Sequence, residues 1–115
     1  MTTARQGFIV NKLLEKGGVV NKVAANYVKA GFSVKVNPSI KNVDLIATRG
    51  GERYCIKVLW EKKTYGEKQL TGFIESCTKI GYNPVIILYG SGPRLDPGFL
   101  DKHKDIKVRR IRFKG

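Results

Sequence analysis

The chain has 115 residues, and its hydrophobic fraction of 42% is ordinary for a folded protein. This length suits a single domain over residues 1–115, and the composition argues against a disordered polypeptide. The charge is unusual, since 22 Lys and Arg residues against 9 Asp and Glu residues give a formal net charge of +13. A surface this basic repels itself unless a polyanion neutralises it. We therefore expect nucleic acid, either DNA or RNA, as the partner.

No segment has the apolar length of a membrane span, and the N-terminus lacks the apolar run of a secretory signal. We therefore expect a cytoplasmic protein with no membrane partner. Its two cysteines, Cys55 and Cys77, are too few and too far apart along the chain for a zinc site or a disulfide scaffold. In the reducing interior of a cell, both thiols are expected to be free.

Two helices are predicted at the N-terminus. Gly17-Gly18 closes a first helix over residues 5–16, whose apolar residues at helical spacing are Phe8, Ile9, Leu13 and Leu14. A second apolar stripe runs from Val19 to Val28 and ends at Gly31.

Three strands follow these helices. Residues 32–36 alternate in hydropathy and are stopped by Asn37-Pro38. Residues 43–49 and 53–60 predict two further strands. Gly50-Gly51 between them suits a two-residue hairpin turn, because glycine tolerates the positive φ that such a turn requires.

The second half of the chain predicts a helix between strands. The third helix is marked by apolar residues at helical spacing, Leu70, Phe73, Ile74, Cys77 and Ile80. Residues 84–89 form a continuous apolar run, typical of a strand covered on both faces. Residues 91–98 are predicted to be a loop, and residues 106–113 an edge strand. Because the third helix is a crossover, its flanking strands should run parallel, in a mixed sheet with helices on both faces.

The hairpin brings a carboxylate and a lysine together. With a two-residue turn, Asp44 lies opposite Lys57 and Ile46 opposite Cys55, all on one face of the sheet. The other face is predicted to be core: Leu45, Ala47, Tyr54, Ile56, Val58 and Trp60. One interpretation of Asp44 and Lys57 is a cross-strand ion pair, contributing less than about 1 kcal/mol. The other is half of a metal-dependent phosphodiesterase site, with Asp44 as a metal ligand and Lys57 orienting the attacking water.

The segment from Val43-Asp44 through the hairpin to Cys55-Ile56-Lys57, followed by a helix and an apolar strand, resembles the PD-(D/E)XK nuclease superfamily. Within that superfamily it is most similar to the archaeal Holliday-junction resolvases, over roughly residues 19–89. The resemblance implies a restriction-endonuclease-like αβββαβ core within an α/β fold, here with an extra N-terminal helix and a basic C-terminal strand. It also implies a Mg²⁺ site and a DNA substrate.

The motif departs from the family at its second carboxylate, where Cys55 stands in place of Glu or Asp. A thiol is a poor ligand for Mg²⁺, which prefers hard oxygen donors. The alternative carboxylates are Glu61, about 13 Å further along the strand, and Glu15 on the preceding helix.

We therefore expect a catalytically degenerate nucleic-acid-binding protein without a cofactor, either a DNA-junction binder or a structural part of a ribonucleoprotein such as the ribosome. The alternative is an active Mg²⁺-dependent endonuclease of the resolvase type, working as a homodimer. A third hypothesis is an accessory subunit whose partner supplies the active site.

Phosphate contacts are predicted for the basic residues of three segments. Arg49 and Arg53 flank the hairpin tip, which either enters a groove of the nucleic acid or only solubilises the tip. Lys62, Lys63 and Lys68 lie beside the aromatic residues Trp60 and Tyr65, and the alternative for this cluster is a solvated charged face. Of these two aromatic residues, Trp60 is expected to lie in the core. The C-terminal segment carries Lys102, Lys104, Lys107, Arg109, Arg110, Arg112 and Lys114. His103, among these lysines, is predicted to have no catalytic role.

Overall fold

The computed structural model describes residues 4–112, without the side chains of residues 4–6, 13, 14 and 16. Lys114 and the end of the predicted C-terminal strand lie outside this range. The helices are α1 (Ala4–Lys16), α2 (Val19–Lys29), α3 (Glu67–Ile80) and α4 (Pro97–Lys102). The strands are β1 (Ser33–Val36), β2 (Leu45–Arg49), β3 (Glu52–Leu59), β4 (Thr64–Tyr65), β5 (Asn83–Tyr89), β6 (Arg94–Leu95) and β7 (Lys107–Ile111).

Five strands form a mixed sheet in the order β1-β2-β3-β5-β7. The first three strands pair antiparallel, whereas β3 with β5 and β5 with β7 pair parallel. The parallel relation of β3 and β5 follows from the crossover through α3, as predicted. The predicted α/β class is confirmed, with β7 as an edge strand.

Helices cover both faces of this sheet. On one face α2 packs its apolar stripe, Val23, Ala24 and Tyr27, against the predicted core face of the hairpin and against Val85 and Ile87. On the other face α3 and α4 pack Leu70, Phe73, Cys77 and Phe99 against Cys55, Leu59, Ile86 and Leu88. The continuous apolar run of β5 is thus explained by burial on both faces.

Helix α1 lies outside α2 and contacts it through Val10, which is buried beside Ala25 and Val28. Two of the apolar residues that marked this helix, Phe8 and Ile9, are exposed. Spacing alone predicted the helix, but it did not show which side faces the protein.

The hairpin has the predicted register. Gly50 and Gly51 form the turn, Gly50 has a φ of +57°, and Arg49 faces Glu52 across it. Next to this turn Thr48 faces Arg53, and two residues further along the ladder Ile46 faces Cys55. The glycine at the positive-φ position therefore fixes the alignment of both strands.

The segment from residue 91 to residue 98 was predicted to be a loop, and this is wrong. It contains β6, which pairs parallel with β4 through Thr64 to Arg94 and Tyr65 to Leu95. Helix α4 then begins at Pro97. The backbone N–H of the first helical residue has no acceptor within the helix, so proline, which lacks an N–H, loses no hydrogen bond at this position. Two-residue strands carry too little alternation to be visible in the sequence.

The predicted core position of Trp60 is also wrong. Strand β3 ends at Leu59, and Trp60 is 54% exposed. Beyond the end of the strand, the alternation of faces no longer determines where a side chain points.

Cys55 and Cys77 are joined in a disulfide, so the expectation of free thiols is wrong. Cys55 lies on the face of β3 that α3 covers, and Cys77 lies on the buried stripe of α3. Their Cα atoms are 5.7 Å apart although 22 positions separate them in sequence. The crossover folds α3 back over β3, which sequence spacing did not take into account.

No helix within residues 4–112 is long and apolar enough to cross a membrane.

Closing a 22-residue loop should stabilise the fold by about 3 kcal/mol relative to the reduced chain. We expect a reductant to lower the free energy of unfolding of the wild type by about this amount in a denaturant titration. The double variant Cys55→Ala/Cys77→Ala is the control, and reductant should leave it unchanged. Two alkylatable thiols in the unreduced, unfolded protein would contradict the disulfide.

Candidate functional site

Asp44 and Lys57 meet at the end of the β2–β3 ladder, as the register predicts. The Asp44 N–H donates to the carbonyl of Ile56 over 3.0 Å, which continues the ladder one residue beyond β2. The Lys57 Nζ lies 3.8 Å from Asp44 Oδ2, and both side chains are about one quarter exposed. The predicted cross-strand pair is therefore present in the structure.

The Asp44 carboxylate also has a structural partner. Its Oδ2 accepts a hydrogen bond of 2.7 Å from the backbone N–H of Val58. Past the end of β2, the carboxylate takes the place of a backbone carbonyl as acceptor for this donor. One oxygen atom thus serves both the Val58 N–H and the Lys57 ammonium, and Asp44 stabilises the end of the hairpin.

The other ligand positions do not complete a Mg²⁺ site. Cys55 is buried and bonded to Cys77. Glu61 forms an exposed ion pair with Lys63, with 3.7 Å between Oε2 and Nζ, and Glu15 is exposed on the outer helix α1. Within residues 4–112 no group of three His, Cys, Asp or Glu side chains is placed to hold a metal ion. These residues do not fit the metal site that the resemblance implies.

Asp44→Ala should lower the free energy of unfolding by about 1–3 kcal/mol, because it leaves the Val58 N–H without its charged acceptor. Asp44→Asn retains an acceptor oxygen and should lose less. Glu61→Ala removes a solvent-exposed pair and should change stability by less than about 1 kcal/mol. Denaturant titration of the three variants provides the comparison. Stabilisation by Mg²⁺ that requires Asp44 would show that the carboxylate is a metal ligand after all.

Two basic segments that are distant in sequence meet at one corner of the protein. The pairing of β4 with β6 and the contact of α3 with α4 bring the segment 62–68 to the segment 102–104. We call the five exposed lysines of these segments the corner surface: Lys62, Lys63, Lys68, Lys102 and Lys104. The Lys63 ammonium also lies 5.1 Å from the ring centroid of Tyr65.

A histidine–glutamate contact holds this corner together. His103 Nε2 lies 3.0 and 3.1 Å from the two carboxylate oxygens of Glu67, and its ring packs on Phe99 with centroids 4.6 Å apart. The hydrogen bond from His103 lowers the pKa of Glu67, and a second one from Thr71 adds to the effect. His103 thus joins the end of α4 to the first turn of α3.

The contribution of Glu67 to stability should depend on pH. Because its pKa is lowered from 4.5 in the folded state, the stabilisation is present above that value and is lost as the pH falls through the folded-state pKa. In the variant His103→Ala, the pKa of Glu67 should rise toward 4.5. NMR titration of the Glu67 carboxyl carbon measures this, with Lys104→Ala as the control. An unchanged pKa in His103→Ala would exclude the contact.

The basic C-terminal run divides between the two faces of the sheet. Along β7, Lys107 and Arg109 face the α2 side. Arg110 faces the other way, and its guanidinium donates to the carbonyls of Gly90 and Pro93 over 2.7 and 2.8 Å. Arg110 therefore attaches the loop after β5 to the edge strand, whereas Arg112 is exposed just beyond β7.

At the hairpin tip, Arg53 and Arg49 are both exposed, but the Arg49 guanidinium also contacts other groups of the protein. Arg49 pairs with Glu52 at 2.9 Å and donates to the carbonyl of Ala30 at 2.8 Å. Its guanidinium carbon also lies 4.2 Å from the ring centroid of Phe32. These contacts fix the guanidinium in one position.

A cleft that the sequence did not reveal lies between α2 and β7. It has two adjoining parts of about 470 and 260 Å³, which share Tyr27, Ala30, Phe32 and Arg109. We call it the Arg109 cleft. Its residues come from α2 and the segment after it, from the hairpin, from β5 and from β7. In the sequence, Tyr27 and Tyr54 looked only like core residues of their own elements. The alternation of β7, which places Lys107 and Arg109 on one face, was the available sequence signal.

No protein-family model matches the chain, and no curated protein matches it. Among solved structures, the chain is similar to a protein of unknown function, AF1548, with a TM-score of 0.60 and 21% sequence identity. The match covers 76% of this chain and 54% of that one, so this chain spans about half the length of its structural neighbour. The likeness is one of fold.

Proposed function

We propose that this protein binds nucleic acid through its basic surface and does not cleave it. The observation that carries the proposal is the formal net charge of +13, with its cationic side chains exposed at several separate places. The corner surface, the hairpin tip and the Arg109 cleft each present such side chains. Each phosphate that they neutralise releases counterions, which favours binding.

The arrangement of elements supports a relationship to PD-(D/E)XK nucleases. From α2 to β5 the large sheet is built in the order αβββαβ, with Asp44 directly before the second strand and Lys57 on the third. The resemblance in sequence implied this order. We therefore propose a nuclease-like domain that has lost its metal site, in a DNA-junction binder or a ribonucleoprotein component.

The position of Cys55 supports the proposed loss of the metal site. At the place of the second carboxylate, its side chain is buried under α3 and bonded to Cys77. A carboxylate at this buried position would need a partner to offset its desolvation. In this proposal, the disulfide that links β3 to α3 stands at the position of the second metal ligand.

An active endonuclease is the second candidate, and one observation favours it. Asp44 and Lys57 lie 3.8 Å apart and are both accessible to solvent, so two of the expected catalytic side chains are present. In that case a carboxylate that does not lie beside Asp44 in this structure would have to move there to complete the metal site.

One gel experiment separates these functions. A four-way DNA junction, duplex DNA, single-stranded DNA and structured RNA are each incubated with the protein, in Mg²⁺ or Mn²⁺ and in chelator. Retarded bands without cleavage in every condition are expected. Metal-dependent cleavage that Asp44→Ala abolishes would establish the endonuclease instead. The absence of both retardation and cleavage would refute nucleic-acid binding.

The corner surface should account for part of the salt dependence. Replacing Lys62, Lys63 and Lys68 by Ala should reduce the slope of log K against log salt by about 2–3 if each lysine contacts a phosphate. A control that removes Lys22, Lys35 and Lys79 loses the same charge from other exposed positions. Equal slopes for the two triple variants would exclude a specific role for the corner surface. Deletion of the C-terminus is unsuitable, because it removes β7 from the sheet.

A further inference from the structure

We propose that the Arg109 cleft binds an unpaired nucleotide, and that the protein therefore prefers single-stranded nucleic acid. The inference rests on the proposed nucleic-acid binding and assigns it a site and a substrate class. The site lies on the α2 face of the sheet, whereas the corner surface is built from α3, α4 and the β4–β6 pair.

The cleft exists because α2 does not cover the whole sheet. The helix lies mainly over β1, β2 and β3, and the edge strand β7 extends beyond it. Tyr27 of α2 and Ala30, the residue that caps this helix, form one wall, and Lys107 and Arg109 of β7 form the other. Val85 of β5 lies at the base of the smaller part.

Three aromatic rings lie along this cleft in succession. The ring centroids of Tyr27 and Phe32 are 5.3 Å apart, and those of Phe32 and Tyr54 are 5.8 Å apart. Tyr27 is almost fully buried and Phe32 and Tyr54 are partly buried, so the three tilted rings form one aromatic side of the cleft. An aromatic surface beside a polar rim is suited to a partly apolar ligand.

Each ring carries its own cation. Arg49 lies over Phe32 with 4.2 Å to the ring centroid, and Lys107 lies 5.8 Å from the centroid of Tyr54. Burial raises the pKa of the Tyr27 hydroxyl, and the positive charge of the nearby Arg109 guanidinium partly offsets this effect. Cationic groups and rings therefore alternate along the cleft.

The cleft has an excess of positive charge. Arg49, Lys107 and Arg109 line it with their cationic groups, together with the single carboxylate of Glu52. Arg110 also borders the cleft, but its guanidinium is turned to the other face and bound to the carbonyls of Gly90 and Pro93. Glu52 is already paired with Arg49 at 2.9 Å. Within residues 4–112 no carboxylate lies within ion-pair distance of Lys107 or Arg109. These two side chains can therefore receive an anionic group.

A nucleotide meets both requirements. Its phosphate can accept charge-assisted hydrogen bonds from Lys107 and Arg109. Its base can stack on the guanidinium of Arg49, which Phe32, Glu52 and Ala30 hold in place. A base inside a duplex is already stacked on both faces and cannot enter, which gives the preference for single strands.

The test measures fluorescence anisotropy of a labelled single-stranded oligonucleotide and of the matched duplex. Lys107→Ala/Arg109→Ala should weaken single-strand binding about tenfold or more, and duplex binding much less. The control Lys22→Ala/Lys79→Ala removes the same charge from exposed positions and should weaken both about equally, by about threefold or less. Circular dichroism and thermal melting check that each variant is folded.

A second measurement does not depend on these variants. A single strand containing 5-iodouracil, irradiated in complex with the wild type, should crosslink to Phe32 or Tyr54, the two partly exposed rings of the cleft. Crosslinks confined to the corner surface would overturn the assignment of the cleft, as would equal losses in the two double variants.

The remaining outcomes separate this inference from the proposed function. Duplex binding as tight as single-strand binding would overturn the inference and leave nucleic-acid binding intact. No binding of any nucleic acid would refute both. Polyglutamate of matched charge that binds as tightly as the oligonucleotide would overturn the inference in favour of an acidic peptide ligand.

Discussion

The register of the β2–β3 hairpin determines which side chains of these two strands lie under α2 and which lie on the α3 face. A shift of one residue would exchange the two faces of the sheet, and with them every buried and exposed side chain of both strands. The observed register places Leu45, Ala47 and Ile56 under α2, and Asp44, Cys55 and Lys57 on the α3 face. The Asp44 carboxylate secures this register at the open end through the Val58 N–H, while Gly50-Gly51 secures it at the turn.

Much of this arrangement was visible in the sequence, because local patterns report local structure. The turn glycines and the alternation of the strands were enough to pair Asp44 with Lys57. The apolar run of residues 84–89 was enough to place a strand between two layers. Contacts between distant segments were not visible in this way. The Cys55–Cys77 bond, the β4–β6 pair and the row of Tyr27, Phe32 and Tyr54 depend on how α2 and α3 lie across the sheet. The periodicity within a single helix or strand does not specify how two elements lie against each other.

The same dependence on contacts between distant segments explains where the basic residues lie in the fold. As a linear sequence, the C-terminal lysines and arginines form one patch. In the fold, β7 separates them by face, so Arg109 lines the cleft while Arg110 binds two backbone carbonyls. The lysines before β7 join those of the loop after β3, because His103 and Glu67 connect α4 to α3. Basic residues that are neighbours in sequence therefore lie on several different surfaces of the protein.

The position of β7 at the border of the sheet has a consequence for self-association. One side of this strand pairs with β5, and the backbone groups of its other side can template the addition of another chain. The flanking lysine and arginine side chains oppose such addition, because two copies meeting at this border would bring like charges together. A bound polyanion would cancel that repulsion. Neutralisation of Lys107 and Arg109 would therefore lower the electrostatic barrier to the addition of a second copy at the β7 edge.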